Sequence, residues 1–314
     1  MTYKNNIIFL LSLIAAMALI YTGSIILDSE HLGARNSSYV WMDSKDSSRV
    51  SEITITGGEE TRELIKRSGQ WYVSSEGKEF PAKQLRVEDF INTFTVRSQY
   101  PVMTTSASSH ERLGVTEERS YRVTFYAENS PLLDLLFGGM DITVREIFIR
   151  KYGQNEVRAG DSNIYSYLMG PLSNWYNLRL IPESEDGKID VSSVQRLSVY
   201  TRDSSQVFSR KNKLWVISGI EVANPDQSGI DSYIRTVLNT EGSGFDESIS
   251  FDEPSLDHNR LVLEFGNGTV RTIRLDDGDE SGQRLAHVTG SNFIYKIPSW
   301  AALRLFRNAP DFER

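Results

Sequence analysis

The sequence predicts an α+β fold, with one N-terminal transmembrane helix followed by two tandem related units. Each unit is predicted to be an antiparallel sheet covered by helices. Three observations predict this: an uncharged apolar run covers residues 7–27, short alternating strands follow in succession, and the pattern of residues 50–125 recurs about 144 positions later. The strands lack the strand–helix–strand rhythm of a parallel sheet, which favours antiparallel pairing.

The apolar run, residues 7–27, reads IIFLLSLIAAMALIYTGSIIL and contains no charged residue. A helix rises about 1.5 Å per residue, so this run is long enough to cross a hydrocarbon core of about 30 Å. Two alternatives are a buried core helix and a signal peptide cleaved near Ala16-Met17-Ala18. Cleavage there would leave Ile20, Ile25 and Leu27 on a new terminus, which favours a retained anchor.

The orientation of this anchor rests on Lys4 and the terminal amine, because basic residues favour the cytoplasmic side. The next basic residue is Arg35. We therefore expect residues 1–6 to form a short cytoplasmic N-terminus. The chain is then a single-pass protein of the cell's inner (cytoplasmic) membrane whose bulk forms an extracytoplasmic, periplasmic domain. The inverted topology, with the bulk in the cytosol, stays open.

Residues 28–48 are polar and serine-rich, which predicts a spacer. The first α+β repeat is predicted at 49–181. Within it, residues 50–74 alternate as a three-stranded meander with Ser68-Gly69 as a tight turn. A helix follows Pro81, and its apolar side chains fall at i, i+3, i+4 and i+7 on one face: Val87, Phe90, Ile91 and Phe94.

The acidic segment 182–189 is predicted to be a linker, and 190–310 the second repeat, followed by a tail at 311–314.

The duplication is inferred because residues of a strand, a tryptophan, a proline and a helix all recur at nearly the same offset. Offset 144 relates Val50, Ile53, Ile55, Trp71 and Pro81 to Val194, Leu197, Val199, Trp215 and Pro225. Offset 143 relates the helix to Ile230, Tyr233, Ile234 and Val237, and offset 140 relates Tyr121, Val123 and Phe125 to Leu261, Leu263 and Phe265.

Composition excludes several classes of protein. The chain has no cysteine, so it has no disulfide, thiolate nucleophile, cysteine-based zinc site or lipoprotein anchor. Its net charge of -8 argues against nucleic acid as a partner, because phosphate binding needs a basic surface.

The order of short motifs resembles the bacterial domain-of-unknown-function family numbered 4340. The first copy carries Gly69-Gln70-Trp71, Phe80-Pro81-Ala82, Leu113-Gly114-Val115, Tyr121-Arg122-Val123-Thr124-Phe125 and Trp175…Leu178. The second copy departs from the pattern: Pro225 lacks the following alanine, and the Leu-Gly element is missing. The resemblance covers about residues 48–310. It implies one N-terminal membrane helix and an accessory role beside ABC-type transport systems, including gliding-motility-like ones, and it supplies no catalytic residues.

No motif predicts a catalytic, cofactor-binding or metal-binding residue. The four histidines, His31, His110, His258 and His287, are not within metal-ligand spacing of one another. No phosphate-binding glycine-rich loop is present, so the chain is not the ATPase of a transporter.

Three further patterns have a chemical and a structural interpretation. Ser162 follows Gly160-Asp161 as in a serine-esterase block, but Ala107, Ser255 and Arg284, rather than an aspartate, stand three residues before His110, His258 and His287. This favours Asp161 or Ser162 as the N-cap of a short helix that runs from Asn163 to Leu168. Asp277 opens a D-x-D-x-S-G calcium-like loop, but its twelfth position is Val288 rather than a glutamate. Trp71 and Trp215 could stack on a sugar, but their place at a strand end favours core packing.

We therefore expect a non-enzymatic, membrane-anchored envelope protein without cofactors. It would act as an accessory or scaffold subunit of a membrane complex such as an ABC-type transport system. Its partner would be an integral membrane protein such as a transporter permease. The alternative is an extracytoplasmic ligand-binding module that takes a glycan or lipid in a groove between the two repeats. A third possibility, an enzyme, would need clustered ionisable groups with perturbed pKa values.

Overall fold

The computed structural model describes residues 14, 16–17, 38–57, 60–182, 190–219, 224–246, 248, 252, 254–307 and 309–313. In this part of the chain strands account for 43% and helices for 25%, and the strands form three antiparallel sheets. The predicted α+β class is therefore wrong, and the fold is mostly β. The reason is the balance of elements: among the described residues only the helices Gln84–Thr95 and Gln227–Leu238 exceed seven residues, whereas the two large sheets contain nine and eight strands.

The predicted transmembrane helix is also contradicted. Within the described residues, no helix combines the length and the apolar character needed to cross a bilayer. Of the predicted span 7–27, only Ile14, Ala16 and Met17 are described, and they are helical; the remainder, like residues 1–6, lies outside the described residues. The predictions of a single-pass anchor and of a place in the inner membrane with the bulk extracytoplasmic are corrected accordingly.

The chain divides into two compact units, Met1–Tyr176 and Asn177–Arg314. Leu180 and Ile181 are buried in the core of the second unit, so the first repeat ends before the predicted residue 181. The predicted linker 182–189 lies outside the described residues except for Pro182. The predicted tail is not a tail, because Phe312 is buried against Tyr233 in the second unit.

The described part of the first unit contains a nine-stranded sheet and a two-stranded sheet. The elements are β1 (Ser38–Tyr39), α1 (Ser44–Ser47), β2 (Glu52–Gly57), β3 (Glu60–Arg67), β4 (Gln70–Ser75), β5 (Lys78–Pro81), α2 (Gln84–Thr95), β6 (Ser98–Gln99), β7 (Val102–Thr104), α3 (His110–Leu113), β8 (Tyr121–Ala127), β9 (Ser130–Met140), β10 (Glu146–Lys151), β11 (Val157–Asp161) and α4 (Tyr165–Leu168), with 3-10 turns at Ala107–Ser109, Ser162–Ile164 and Leu172–Asn174. The large sheet has the order β5-β4-β3-β2-β8-β9-β10-β11-β7, and β1 pairs with β6.

The core of the first unit lies between one face of the large sheet and α2. The helix packs through Val87, Phe90, Ile91 and Phe94, all buried, which confirms the predicted apolar face. The predicted meander is also present as β2, β3 and β4. Its tight turn at Ser68-Gly69 has φ of 49° and 85°, the left-handed pair that a two-residue hairpin requires.

The predicted spacer 28–48 is partly structured, because its described end belongs to the first unit. Trp41 is 9% exposed and packs edge-on against Tyr39 and Tyr100. The backbone N–H groups of Trp41 and Met42 both donate to the carbonyl of Phe94, at 3.2 and 3.0 Å. This segment therefore satisfies a carbonyl at the end of α2, where helices leave such groups unpaired.

The described part of the second unit contains one eight-stranded sheet. The elements of this unit are β12 (Val194–Tyr200), β13 (Ser205–Lys211), β14 (Leu214–Ser218), α5 (Gln227–Leu238), β15 (Gly244–Asp246), β16 (Asn259–Phe265), β17 (Val270–Leu275), β18 (Arg284–Val288), β19 (Ile294–Ile297) and α6 (Ser299–Leu305), with 3-10 turns at Val191–Ser193, Pro254–Asp257 and Ala309–Phe312. The sheet has the order β14-β13-β12-β16-β17-β18-β19-β15. Ile230, Tyr233, Ile234 and Val237 of α5 are buried against the sheet.

Apart from β5, the large sheet of the first unit has the same strand order as that of the second. Register shows one difference from the sequence match. Ile53 pairs with Phe125, and its counterpart Leu197 pairs with Leu263. Phe125 therefore corresponds to Leu263 and not to the predicted Phe265.

Candidate functional site

The described histidines each have local partners. His110 Nε2 lies 2.9 Å from the carbonyl of Asn155, and His287 Nδ1 lies 3.1 Å from Arg274. His258 Nδ1 lies 2.8 Å from Asp277. His31 lies outside the described residues. Among the residues that the structure describes, no group of three or more potential ligands is placed to hold a metal ion.

Ser162 is tied to the backbone. Its hydroxyl donates to the carbonyl of Val144 at 2.9 Å, and the neighbouring carboxylate of Asp161 accepts from the N–H of Asn163 at 2.8 Å. This matches the capping interpretation of Asp161, which closes the first turn of the helical segment.

The calcium-like loop directs its carboxylates to separate partners. Asp279 accepts from the N–H and hydroxyl of Ser281 at 2.9 and 2.6 Å. Asp277 instead accepts from Asn259 and contacts His258. Calcium needs several oxygens that converge on one point, and the carboxylates of this loop belong to no group of three or more potential ligands among the described residues.

The two matched tryptophans are structural. Trp71 and Trp215 are 1% and 2% exposed, so neither can form a sugar platform. In each unit the side-chain amide of a glutamine at the start of the helix forms hydrogen bonds with both the N–H and the carbonyl of the tryptophan. Gln84 accepts from Trp71 N at 2.7 Å and donates to Trp71 O at 3.0 Å, and Gln227 does the same to Trp215 at 2.6 and 3.0 Å.

The candidate site is a groove in the second unit between α5 and α6, with a volume of about 460 Å³. Binding pockets commonly fall in the range of roughly 300–1,000 Å³. Residues of α5, of the segment that follows it and of α6 line the groove. The lining residues are Ser232, Arg235, Thr236, Asn239, Thr240, Glu241, Trp300, Ala301 and Arg304.

The two helices that form the groove are fixed by buried contacts. The hydroxyl of Tyr233 on α5 donates to the carbonyl of Leu305 on α6 at 2.6 Å. Burial raises the pKa of Tyr233 far above its ordinary value, so this phenol stays protonated and remains a donor. On α6, Ala301, Ala302 and Leu305 face the core.

The opposite face of α6 exposes large side chains. Trp300 is 59% exposed and Leu303 is 74% exposed. The guanidinium of Arg304 lies over the Trp300 ring, 5.2 Å from its centre. Trp300, Leu303 and Arg304 follow the i, i+3, i+4 spacing of one helical face. We call these three residues and Arg235 the α5–α6 face.

Sequence reasoning missed this site. The signal available was the segment Ser299–Leu305, SWAALRL, in which apolar residues fall on both sides of a short helix. One side is small and aliphatic and is buried, and the other carries Trp300 and Leu303. A helix that is apolar on both sides either is fully buried or presents an interaction surface.

Comparisons with known proteins give no relative: no family model, no curated protein and no solved structure matches the chain. The resemblance to the family numbered 4340, and the glycan or lipid groove between the repeats, therefore stay predictions.

Proposed function

We propose that this protein is a non-enzymatic accessory or scaffold subunit that binds a protein partner through the α5–α6 face. The observation that carries the proposal is the pair of exposed apolar side chains beside the groove, Trp300 and Leu303. Tryptophan and arginine are enriched among the residues that dominate binding energy at protein interfaces. Here Trp300 and Arg304 stand together on one helix.

The free energy gained by burying apolar surface favours a macromolecular partner. Burying exposed apolar surface stabilises a complex by about 25 cal/mol per Å². Trp300 and Leu303 are the exposed large apolar side chains of the two helices that form the groove, so a partner that covers them gains this contribution. Since Tyr233 holds α5 and α6 together, a partner would meet a surface that is already ordered.

The family resemblance adds an expectation about the partner. Members of the family numbered 4340 are associated with ABC-type transport systems, so we propose an integral membrane component of such a system, such as a permease, as the partner. Binding through the α5–α6 face can be tested without knowing which protein the partner is.

The test is site-specific photo-crosslinking in the native cell, with the photoreactive residue at position 303 in one strain and at position 214 in another. Leu214 is the matched control, because it is 59% exposed in the same unit but lies on β14. We expect a discrete crosslinked partner from position 303, absent from position 214 and lost when Trp300 is changed to Ala. Equal crosslinking at both positions, or a crosslink insensitive to Trp300→Ala, would make the proposal wrong.

A further inference from the structure

We propose that the groove between α5 and α6 takes an extended acidic peptide segment of the partner. Carboxylates of that segment would lie on Arg235 and Arg304, and an apolar side chain would lie against Trp300 and Leu303. This inference rests on the proposed function and adds the chemistry of the partner.

The charge of the groove differs from the charge of the chain. The protein carries a net charge of -8, yet the charged residues that line the groove are Arg235, Arg304 and Glu241. An acidic protein that places two arginines at one groove has a local surface complementary to negative charge.

Both guanidinium groups keep their donors available. Neither Arg235 nor Arg304 has a side-chain hydrogen bond or an ion pair within the part of the chain that the structure describes, although Arg304 contacts the Trp300 ring. Other arginines of the unit are engaged, such as Arg210 with Asp231 at 3.3 Å. A guanidinium offers five N–H donors in a fork that matches a carboxylate in two-point contact.

A carboxylate of the chain already responds to this charge. Hydrogen bonds from the Ser192 hydroxyl and the Val191 N–H lower the pKa of Asp190, and the nearby charge of Arg235 lowers it further. Since those hydrogen bonds occupy Asp190 at 2.9 and 2.7 Å, its carboxylate stays with its own turn. The effect on Asp190 indicates that Arg235 stabilises negative charge at this edge of the unit.

The surroundings favour a peptide over a small anion. Leu303 lies outside the groove lining, so a small anion would leave it exposed, whereas a peptide that continues past Trp300 covers it. The hydroxyl of Thr236, a half-buried residue of the groove lining, donates to the carbonyl of Ser232 at 3.0 Å. Its oxygen retains acceptor capacity, which suits an N–H group of a peptide backbone.

The test uses a fluorescein-labelled octapeptide of alternating Glu and Leu, and the same peptide with Gln in place of Glu. Binding to the purified full-length chain is measured by fluorescence anisotropy at low and high salt. We expect the Glu peptide to bind and to weaken with salt, and the Gln peptide to bind about tenfold more weakly or worse.

Three variants locate the site. Arg235→Glu combined with Arg304→Glu should weaken binding of the Glu peptide by about tenfold or more, and Trp300→Ala should also weaken it. Arg112→Glu is the charge-matched control, because Arg112 is exposed on α3 of the first unit, and it should leave binding unchanged.

Specific outcomes overturn the inference. If the Glu and Gln peptides bind equally, or if the double charge reversal leaves binding of the Glu peptide unchanged, carboxylates are not what the groove recognises. Stronger competition by an octathymidylate than by unlabelled Glu peptide would assign the groove to nucleic acid. If the peptide binds only after Glu183, Glu185 and Asp186 are neutralised, the occupant is this chain's own linker and not a partner.

The same variants separate this inference from the proposed function. If the crosslink at position 303 survives the double charge reversal but is lost in Trp300→Ala, the protein binds its partner through the α5–α6 face, and the proposal of an acidic peptide is wrong. If neither change affects the crosslink, both proposals are wrong.

Discussion

Replacing Gln227 by Ala should destabilise the second unit by about 2–3 kcal/mol. The side-chain amide of Gln227 accepts from Trp215 N at 2.6 Å and donates to Trp215 O and Pro225 O at 3.0 and 3.3 Å. Each such hydrogen bond contributes roughly 0.5–1.5 kcal/mol net, and the alanine variant removes all three. It also removes the side-chain link between the start of α5 and the backbone of β14, while the hydrogen bond from the Trp215 indole to Asp231 at 2.8 Å remains.

The assay is urea unfolding followed by near-UV circular dichroism, together with calorimetry. For a domain of this size about 1 kcal/mol corresponds to roughly 2–4 °C, so the melting temperature of the second unit should fall by about 5–10 °C. Gln84→Ala removes the equivalent contacts from Trp71 and should destabilise the first unit to a similar extent. Gln195→Ala is the control, because Gln195 is exposed on β12 and its removal should change stability by less than about 0.5 kcal/mol. A loss from Gln227→Ala no larger than that from Gln195→Ala would refute the reasoning.

Three further predictions concern the first unit. Hydrogen bonds from the Thr143 side chain and from backbone N–H groups lower the pKa of Asp141 to about 2, so its contribution to stability is present above about pH 4 and is lost as the pH falls towards 2. Asp141→Asn should therefore flatten the dependence of melting temperature on pH between 4 and 2. Val144 is β-branched and has φ of 58°, so Val144→Gly should relieve strain and raise the urea midpoint by the equivalent of about 1 kcal/mol. Phe94 is fully buried, and Phe94→Ala should cost about 3–5 kcal/mol in the same assay, whereas an unchanged midpoint would show that its face is not core.

The helix faces could be predicted from the sequence because their spacing is distinctive. Val87, Phe90, Ile91 and Phe94 fall on one side of a 3.6-residue period, and the observed helix Gln84–Thr95 buries all four. The equivalent helix of the second unit, Gln227–Leu238, has the same length and buries the matching side chains.

Strand register could not be predicted in the same way. A strand repeats every two residues, so a shift of two keeps every side chain on its face. The sequence match of Phe125 with Phe265 therefore places the correct face inward but misses the partner, since Leu263 stands opposite Leu197 as Phe125 stands opposite Ile53. Only the hydrogen-bonded pairing separates these two registers.

The class of the fold and the site were missed for different reasons. The helical period identifies the long helix of each unit, but it does not give the number of short strands, and the sheets of nine and eight strands make the fold mostly β. The transmembrane prediction rests on the composition of residues 7–27, and no described helix can cross a bilayer. The α5–α6 face was missed because its residues come from segments about 65 positions apart, and Arg235 and Trp300 line one groove only after α5 and α6 have packed together.

The most direct measurement is hydroxyl-radical footprinting of Trp300 in intact cells and in the purified chain, read by mass spectrometry. Met169 is the internal control, because it is 50% exposed and lies in the first unit. If a partner covers the α5–α6 face, oxidation of Trp300 should be strongly reduced in cells relative to the purified chain, while that of Met169 changes little. Equal oxidation of Trp300 in both samples would contradict the account.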